Sequence, residues 1–157
     1  MAVDGGIGVA ERRFAVLPPY QERGVLPPRR QTATAAGYDL AAAERVEVPA
    51  GGVAMVPTGV CVHMPADEYL VIHVRSSLGL RSQLVLANGT GVIDADYVEN
   101  ADNGGHIFIP LRNLGAAPVV IAAGERIAQG IFQRYLITDD DTPGGTRSGG
   151  FGSTGRA

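Results

Sequence analysis

Glycine and proline punctuation constrains this chain more than any other feature. Twenty-two glycines and 10 prolines cut its 157 residues into short apolar runs. Such spacing disfavours long helices and favours many short strands joined by turns. The runs fall at 12–17, 44–48, 53–56, 58–64, 69–75, 106–112, 118–122 and 126–137, the first stopped by Pro18-Pro19. The expected class is therefore all-β, a sandwich, jelly roll or barrel. Ser76 to Leu84 breaks the rhythm and predicts one short helix. A serine there would cap the helix start and leave its first amides facing an anion.

The length suits one domain with a real core. Hydrophobic residues at 45% against 18% charged residues describe a folding chain, not a disordered one. A net charge of −3 argues against binding nucleic acid through bulk positive charge. An anionic ligand would need a local cluster of cations, for which Arg75, Arg126, Arg147 and Arg156 are candidates. The single cysteine, Cys61, excludes an internal disulfide and reads as an inert buried thiol on a strand. His63, His73 and His106 lie on separate apolar stretches without metal-ligand spacing, and each reads as structural. No apolar run approaches the roughly 20 residues of a membrane span. The N-terminus, with Asp4 and Glu11, lacks a signal-peptide core, so the expected location is cytoplasmic with no membrane partner.

Residues 88–97, Asn-Gly-Thr-Gly-Val-Ile-Asp-Ala-Asp-Tyr, hold an apolar pair, two carboxylates and an aromatic ring close together. On a regular strand Asp94 and Asp96 share one side and Tyr97 takes the other. If Asp94 and Tyr97 serve one site, the chain must bend between them, as at a hairpin mouth. An ordinary turn with solvated acids is the plainer reading of this stretch alone.

The chain divides into a β domain over 1–137 and a tail over 138–157. Thr138 to Thr146 is an acidic linker bearing proline and glycine, and Arg147 to Gly155 reads Arg-Ser-Gly-Gly-Phe-Gly-Ser-Thr-Gly. Such a tail cannot bury enough apolar area to order itself and reads as flexible. As a lid, its glycines would let amides approach phosphate oxygens while Arg147 supplied charge and Phe151 a flat face. The 13 steps from Thr138 to Phe151 reach at most about 45 Å extended and roughly 20 Å as a coil.

Five segments carry polar residues in a telling order. They are Ala36-Gly-Tyr-Asp-Leu40, Arg75-Ser-Ser-Leu-Gly79, the 88–97 stretch, Arg126-Ile-Ala-Gln-Gly130 and the tail. Their order resembles the five motifs of the trimeric dUTP diphosphatases (dUTPases), from about Leu26 to Gly155. Gly91-Val-Ile-Asp-Ala-Asp-Tyr97 followed at a distance by Gly150-Phe-Gly-Ser-Thr-Gly155 matches best. The resemblance implies a β-clip or jelly-roll-like dUTPase fold with one short helix and a flexible C-terminal tail. It also implies a homotrimer with tails exchanged between subunits, and Mg²⁺-assisted hydrolysis of dUTP to dUMP and pyrophosphate.

By the same resemblance, Asp94 orients and deprotonates the water that attacks the α-phosphorus, and Asp39 holds the metal through water. Arg75, Ser76, Ser77 and Gln129 contact the phosphates. Asn88 and the hairpin backbone at Gly91, Val92 and Ile93 read uracil, and Tyr97 lies beneath the deoxyribose, leaving no room for a 2′-hydroxyl. Arg147, Phe151, Gly152, Ser153 and Thr154 close over the nucleotide. The physical case agrees, since a substrate of about four negative charges needs positioning and charge neutralisation above all.

Two departures from the family pattern stand out. Tyr97 is followed by the long stretch Val98 to His106 in place of a short Arg-Gly-Glu-like turn, and Arg147 lies four residues before Phe151, one closer than in many relatives. A dCTP deaminase on the same scaffold is a rival that ammonia release from dCTP would reveal. A non-catalytic nucleotide-binding regulatory protein is a second rival, disfavoured by the presence of Asp39, Asp94 and Tyr97 together.

Overall fold

The structure is a computed structural model and describes residues 11–145 and residue 147. Eleven strands form four antiparallel groups: β1 (Arg13–Val16), β2 (Tyr38–Ala41), β3 (Val46–Val48), β4 (Val53–Pro57), β5 (Val60–His63), β6 (Glu68–Val74), β7 (Leu84–Leu86), β8 (Gly91–Asp94), β9 (Phe108–Asn113), β10 (Val119–Ile121) and β11 (Arg126–Arg134). The larger sheets run β2-β11-β6-β8 and β4-β9-β7, and β1-β5 and β10-β3 make two-stranded ribbons. This is the jelly-roll-like architecture the punctuation predicts.

The core lies between the two larger sheets. Leu40, Leu70 and Ile127 enter it from the four-stranded sheet, and Val56, Leu84 and Leu111 from the other, all fully buried. β9 alternates between buried and more exposed positions along its length, the mark of a strand with one face inward. In β6, Leu70 and Ile72 point to this core, so Tyr69, His73 and the following Arg75 lie on the sheet's outer face.

Several expectations need adjustment. Pro18-Pro19 does stop β1, but the pair also opens a one-turn helix, α1 (Pro18–Gln21), because proline fits the first helical positions. β2 and β7 fall outside the runs read from the sequence: β2 buries only Leu40 fully, and Leu84 closes the apolar stretch that predicts a helix. α2 (Ser76–Ser82) ends instead at Gln83, whose φ of 53° is left-handed. Its N-cap is Arg75 with no side-chain cap, so the expected serine cap does not form, and Ser76 and Ser77 sit exposed in the first turn. β11 stops at Arg134, where its partner β6 begins at Glu68. Leu136 beyond it is 98% exposed. Cys61 is buried and unbonded, and burial pushes its thiol pKa up, as an inert strand cysteine requires. No helix among the described residues is long and apolar enough to cross a membrane.

Candidate active site

Cross-strand register decides which side chains meet. Gln129 of β11 stands opposite Asp39 of β2 on one side and His73 of β6 on the other. Directly opposed residues share a face, so Asp39, Gln129 and His73 all point outward. Arg126, three positions from Gln129, would face the core in an unbroken strand. A register shift between Arg126 and Ala128 inserts one extra residue and returns Arg126 to the outer face. Its guanidinium then donates to Asp39 Oδ2 at 3.0 Å. Arg75, just past the end of β6 and in phase with His73, reaches Asp39 Oδ1 from the other side at 3.5 Å.

Asp39 thus sits between two guanidiniums with only 12% of its side chain exposed. Gly37 sets the spacing of this cluster. A Cβ there would lie 2.4 Å from Gln129 Oε1 and 3.1 Å from its Cβ. Among the described residues no group of three or more carboxylate, imidazole or thiol side chains gathers to hold a metal. The cavity beside this cluster, about 430 Å³, meets Asp39 and Arg126 and draws Arg23 and Arg29 from the segment before β2.

The second cluster belongs to β8 and the turn beyond its end. β8 is the outer strand of its sheet among the described residues, pairing with β6 so that Asp94 opposes Tyr69. Gly91 lies so close to β6 that a Cβ would come within 2.8 Å of Ile72 Cβ. Val92 faces outward and is 57% exposed, whereas Ile93 is buried in the core, so its side chain turns away from any ligand and its backbone alone remains for recognition. Asn88 is exposed in the turn leading into β8. After Asp94 the strand ends and a 3-10 turn, Ala95–Glu99, begins. This is the bend that Asp94 and Tyr97 need to serve one site. Tyr97, 5% exposed, folds inward, and Asp94 and Asp96 stay more than half exposed.

Arg147 closes this second cluster. It bridges Asp94 and Asp96, with Nε donating to Asp96 Oδ1 at 2.7 Å, and its guanidinium lies 5.8 Å from the centre of the Tyr97 ring. The hydrogen bond to Asp96 raises its pKa and holds it in the charged form. The tail arginine therefore rests on carboxylates, not among the phosphate-contact residues Arg75, Ser76, Ser77 and Gln129. Phe151, Gly152, Ser153 and Thr154 lie outside the described residues.

The two clusters occupy the same outer face but do not meet. From β2 to β8 is three strand spacings, and the register from His73 to Tyr69 adds four residues, so Asp39 and Asp94 stand about 20 Å apart in one chain. Sequence order alone flags the five segments but is blind to this separation. It also leaves out Arg126, whose turn toward Asp39 depends on a bulge, and Asp96, whose spacing of two from Asp94 was the available signal.

Comparison with known proteins gives the same picture. A family model for dUTPase matches residues 25–155. The chain is 44% identical over 146 residues to the deoxyuridine 5′-triphosphate nucleotidohydrolase of Lactococcus lactis, covering 92% of this chain and 97% of that protein. The enzyme of the same name from Wolinella succinogenes is 38% identical over 91% of this chain and 89% of its own length. Among solved structures, the dUTPase of Streptococcus mutans superposes with a TM-score of 0.77 at 45% identity, over 81% of this chain and 98% of that one. The chain belongs to the dUTPase family of deoxyuridine 5′-triphosphate nucleotidohydrolases.

Proposed function

We propose that this dUTPase hydrolyses dUTP to dUMP and pyrophosphate at a site built from two half-sites on different copies of the chain, in a homotrimer. The observation that carries the reading is the split of the outer face: a cationic cluster around Asp39, Arg75 and Gln129, and an acidic, aromatic one at Asp94 and Tyr97, about 20 Å away. Neither half suffices alone. A triphosphate needs cations near its phosphates, and its attacking water needs a carboxylate within hydrogen-bond reach.

In this reading Asp94 accepts the proton of the water attacking the α-phosphorus. A bond forms from the water oxygen to phosphorus, and the bond to the pyrophosphate oxygen breaks. Arg75, Ser76, Ser77 and Gln129 hold the phosphates, and Asn88 with the backbone of β8 reads uracil. Tyr97 lies under the deoxyribose. The single carboxylate Asp39, flanked by two guanidiniums, suits Mg²⁺ that arrives on the substrate better than a resident ion, and would hold it through water. When bound, that metal supplies neutralising charge on the phosphates.

Arg147 has a role in closure. Its pairs with the exposed Asp94 and Asp96 are worth at most about 1 kcal/mol each. Charge-assisted bonds to phosphate are about 1.5–3 kcal/mol, so a triphosphate can draw Arg147 away and free Asp94. Phe151, Gly152, Ser153 and Thr154 would follow it over the nucleotide, across a subunit boundary. Related support comes from the dUTPase of staphylococcal phage 80alpha, which has been seen with dUpNHpp, and that of phage phi11, described with a structural Mg(II) ion. The reaction would take place in the cytoplasm, limit uracil in DNA and supply dUMP for thymidylate synthesis.

Pyrophosphate release compared across dUTP, dTTP, dCTP and UTP with Mg²⁺ tests the reading. Turnover of dUTP should exceed that of each competitor by orders of magnitude and cease on chelation of the metal. Equal turnover of all four nucleotides, or ammonia release from dCTP, would exclude it.

A further inference from the structure

The long stretch after Tyr97 is built around the Tyr97 hydroxyl. That hydroxyl donates to the backbone carbonyl of His106 at 2.9 Å and accepts from Asn103 Nδ2 at 3.1 Å. The other end of the same amide, Asn103 Oδ1, accepts from the Gly105 N–H at 3.0 Å, so Asn103 forms a strut with both ends engaged. His106 is anchored in turn. Its Nε2 accepts from the Gly59 N–H at 2.9 Å, and its ring packs against Phe108 at 4.1 Å and Tyr20 at 5.1 Å between centroids. Gly105 completes the assembly at φ +76°, where a Cβ would lie 2.5 Å from Val98 Cα and 3.0 Å from the Tyr97 carbonyl oxygen. The loop therefore presses directly on the turn that carries the tyrosine.

We propose that the 98–106 loop is a specificity brace: Asn103 and the His106 carbonyl fix the Tyr97 ring by its hydroxyl and so set how firmly the enzyme rejects a ribose. The inference rests on the reading that Tyr97 lies under the sugar. Excluding one hydroxyl by contact needs a wall that does not yield, because a ring able to tilt would admit the extra oxygen. A five-residue 3-10 turn supplies little stiffness of its own, having poor hydrogen-bond geometry. Loop closure alone would need only the contact of Asn103 Oδ1 with Gly105. The donor side of the amide is spent on Tyr97. Asn103 is thus a positioning residue, acting on substrate through the ring.

Asn103→Asp separates the two roles, since it keeps an acceptor for the Gly105 N–H and loses the donor to Tyr97. The measurement is the ratio of kcat/KM for dUTP to that for UTP in the parent, in Asn103→Asp, in Tyr97→Phe and in the double variant, alongside thermal midpoints. The ratio should fall about five- to tenfold in each single variant, as loss of one buried hydrogen bond implies. It should fall no further in the double variant, since both substitutions cut the same link. A ratio in Asn103→Asp within about twofold of the parent, or additive losses in the double, would overturn the brace while leaving dUTP hydrolysis intact. Should Asn103→Asp fold poorly, Tyr97→Phe decides alone: it keeps the packed ring, and an unchanged ratio overturns the brace. A parent without preference for dUTP over UTP would sink both the brace and the sugar-platform reading beneath it.

Discussion

The two halves of the outer face are held by different means. Around Asp39 the positions are set by ladders: β2, β11 and β6 fix Asp39, Gln129 and Arg75 through backbone pairing, and one bulge corrects the facing of Arg126. Around Tyr97 pairing ends at Asp94, and the geometry passes to side chains and glycines in a 3-10 turn and the loop after it. A ladder is redundant, so a single side chain can change there without moving the backbone. A loop network has no such reserve. Substitutions in the first half should therefore alter binding at constant stability, and those in the second should alter both.

The largest effect tests the separation itself. Asp94→Asn and Arg75→Ala should each lower pyrophosphate release by about 100- to 10 000-fold, the first through loss of the proton acceptor and the second through loss of phosphate charge. Co-refolded in equal amounts, the two inactive proteins should recover about a quarter of parent activity, because random assembly joins intact halves at that share of sites. A mixture as dead as its components would place both halves in one chain and break the comparison.

Two glycines sharpen it. Gly105→Ala forces a left-handed residue against backbone atoms of Val98 and Tyr97, and should cost about 2–4 kcal/mol of stability. Gly37→Ala meets the Gln129 side chain instead, whose far end can swing aside. Its cost should stay under about 1 kcal/mol, while KM for dUTP rises about tenfold from the displaced Gln129. Denaturant melts and steady-state kinetics on both variants check the contrast, and equal stability losses would refute it.

How much of this was legible in the sequence splits along the same line. The strand class, the break at Ser76 and the bend after Asp94 could be read from punctuation and from Asp-Ala-Asp-Tyr, because turns and caps are written locally. The facing of Arg126 could not, since a bulge depends on where a partner strand sits. Nor could the resting place of Arg147 on Asp94 and Asp96, which is a contact across about 50 residues of chain. The 98–106 loop reads in sequence as a surface excursion because its hydrogen bonds run to Tyr97 and Gly59, and neither bond has a signature in composition.

Acid should loosen the hairpin half before the sheet half, with the smallest effect of the set. Burial holds the His106 pKa below its ordinary 6.5, and neutral Nε2 is what accepts from Gly59. His63 is lowered too, first by burial and then by Arg13. For both, the unfolded chain takes up protons more readily than the folded one as pH falls through 6.5. Stability is therefore full above that value and declines below it, until the folded pKa is reached. Glu68 behaves as a second stage: its hydrogen bond from Arg12 lowers its pKa from 4.5, so its share is full above 4.5 and lost as pH falls through the folded value. Each group contributes at most about 1.4 kcal/mol per pH unit within its window. Denaturant unfolding at pH 7, 6 and 5 should show a first decline that His106→Gln reduces, since glutamine does not titrate and its amide oxygen can accept from Gly59. The dUTP-to-UTP ratio should fall over the same interval, ahead of any change in Glu68. Unfolding curves that superimpose from pH 7 to pH 5 would mean that His106 does not govern the hairpin.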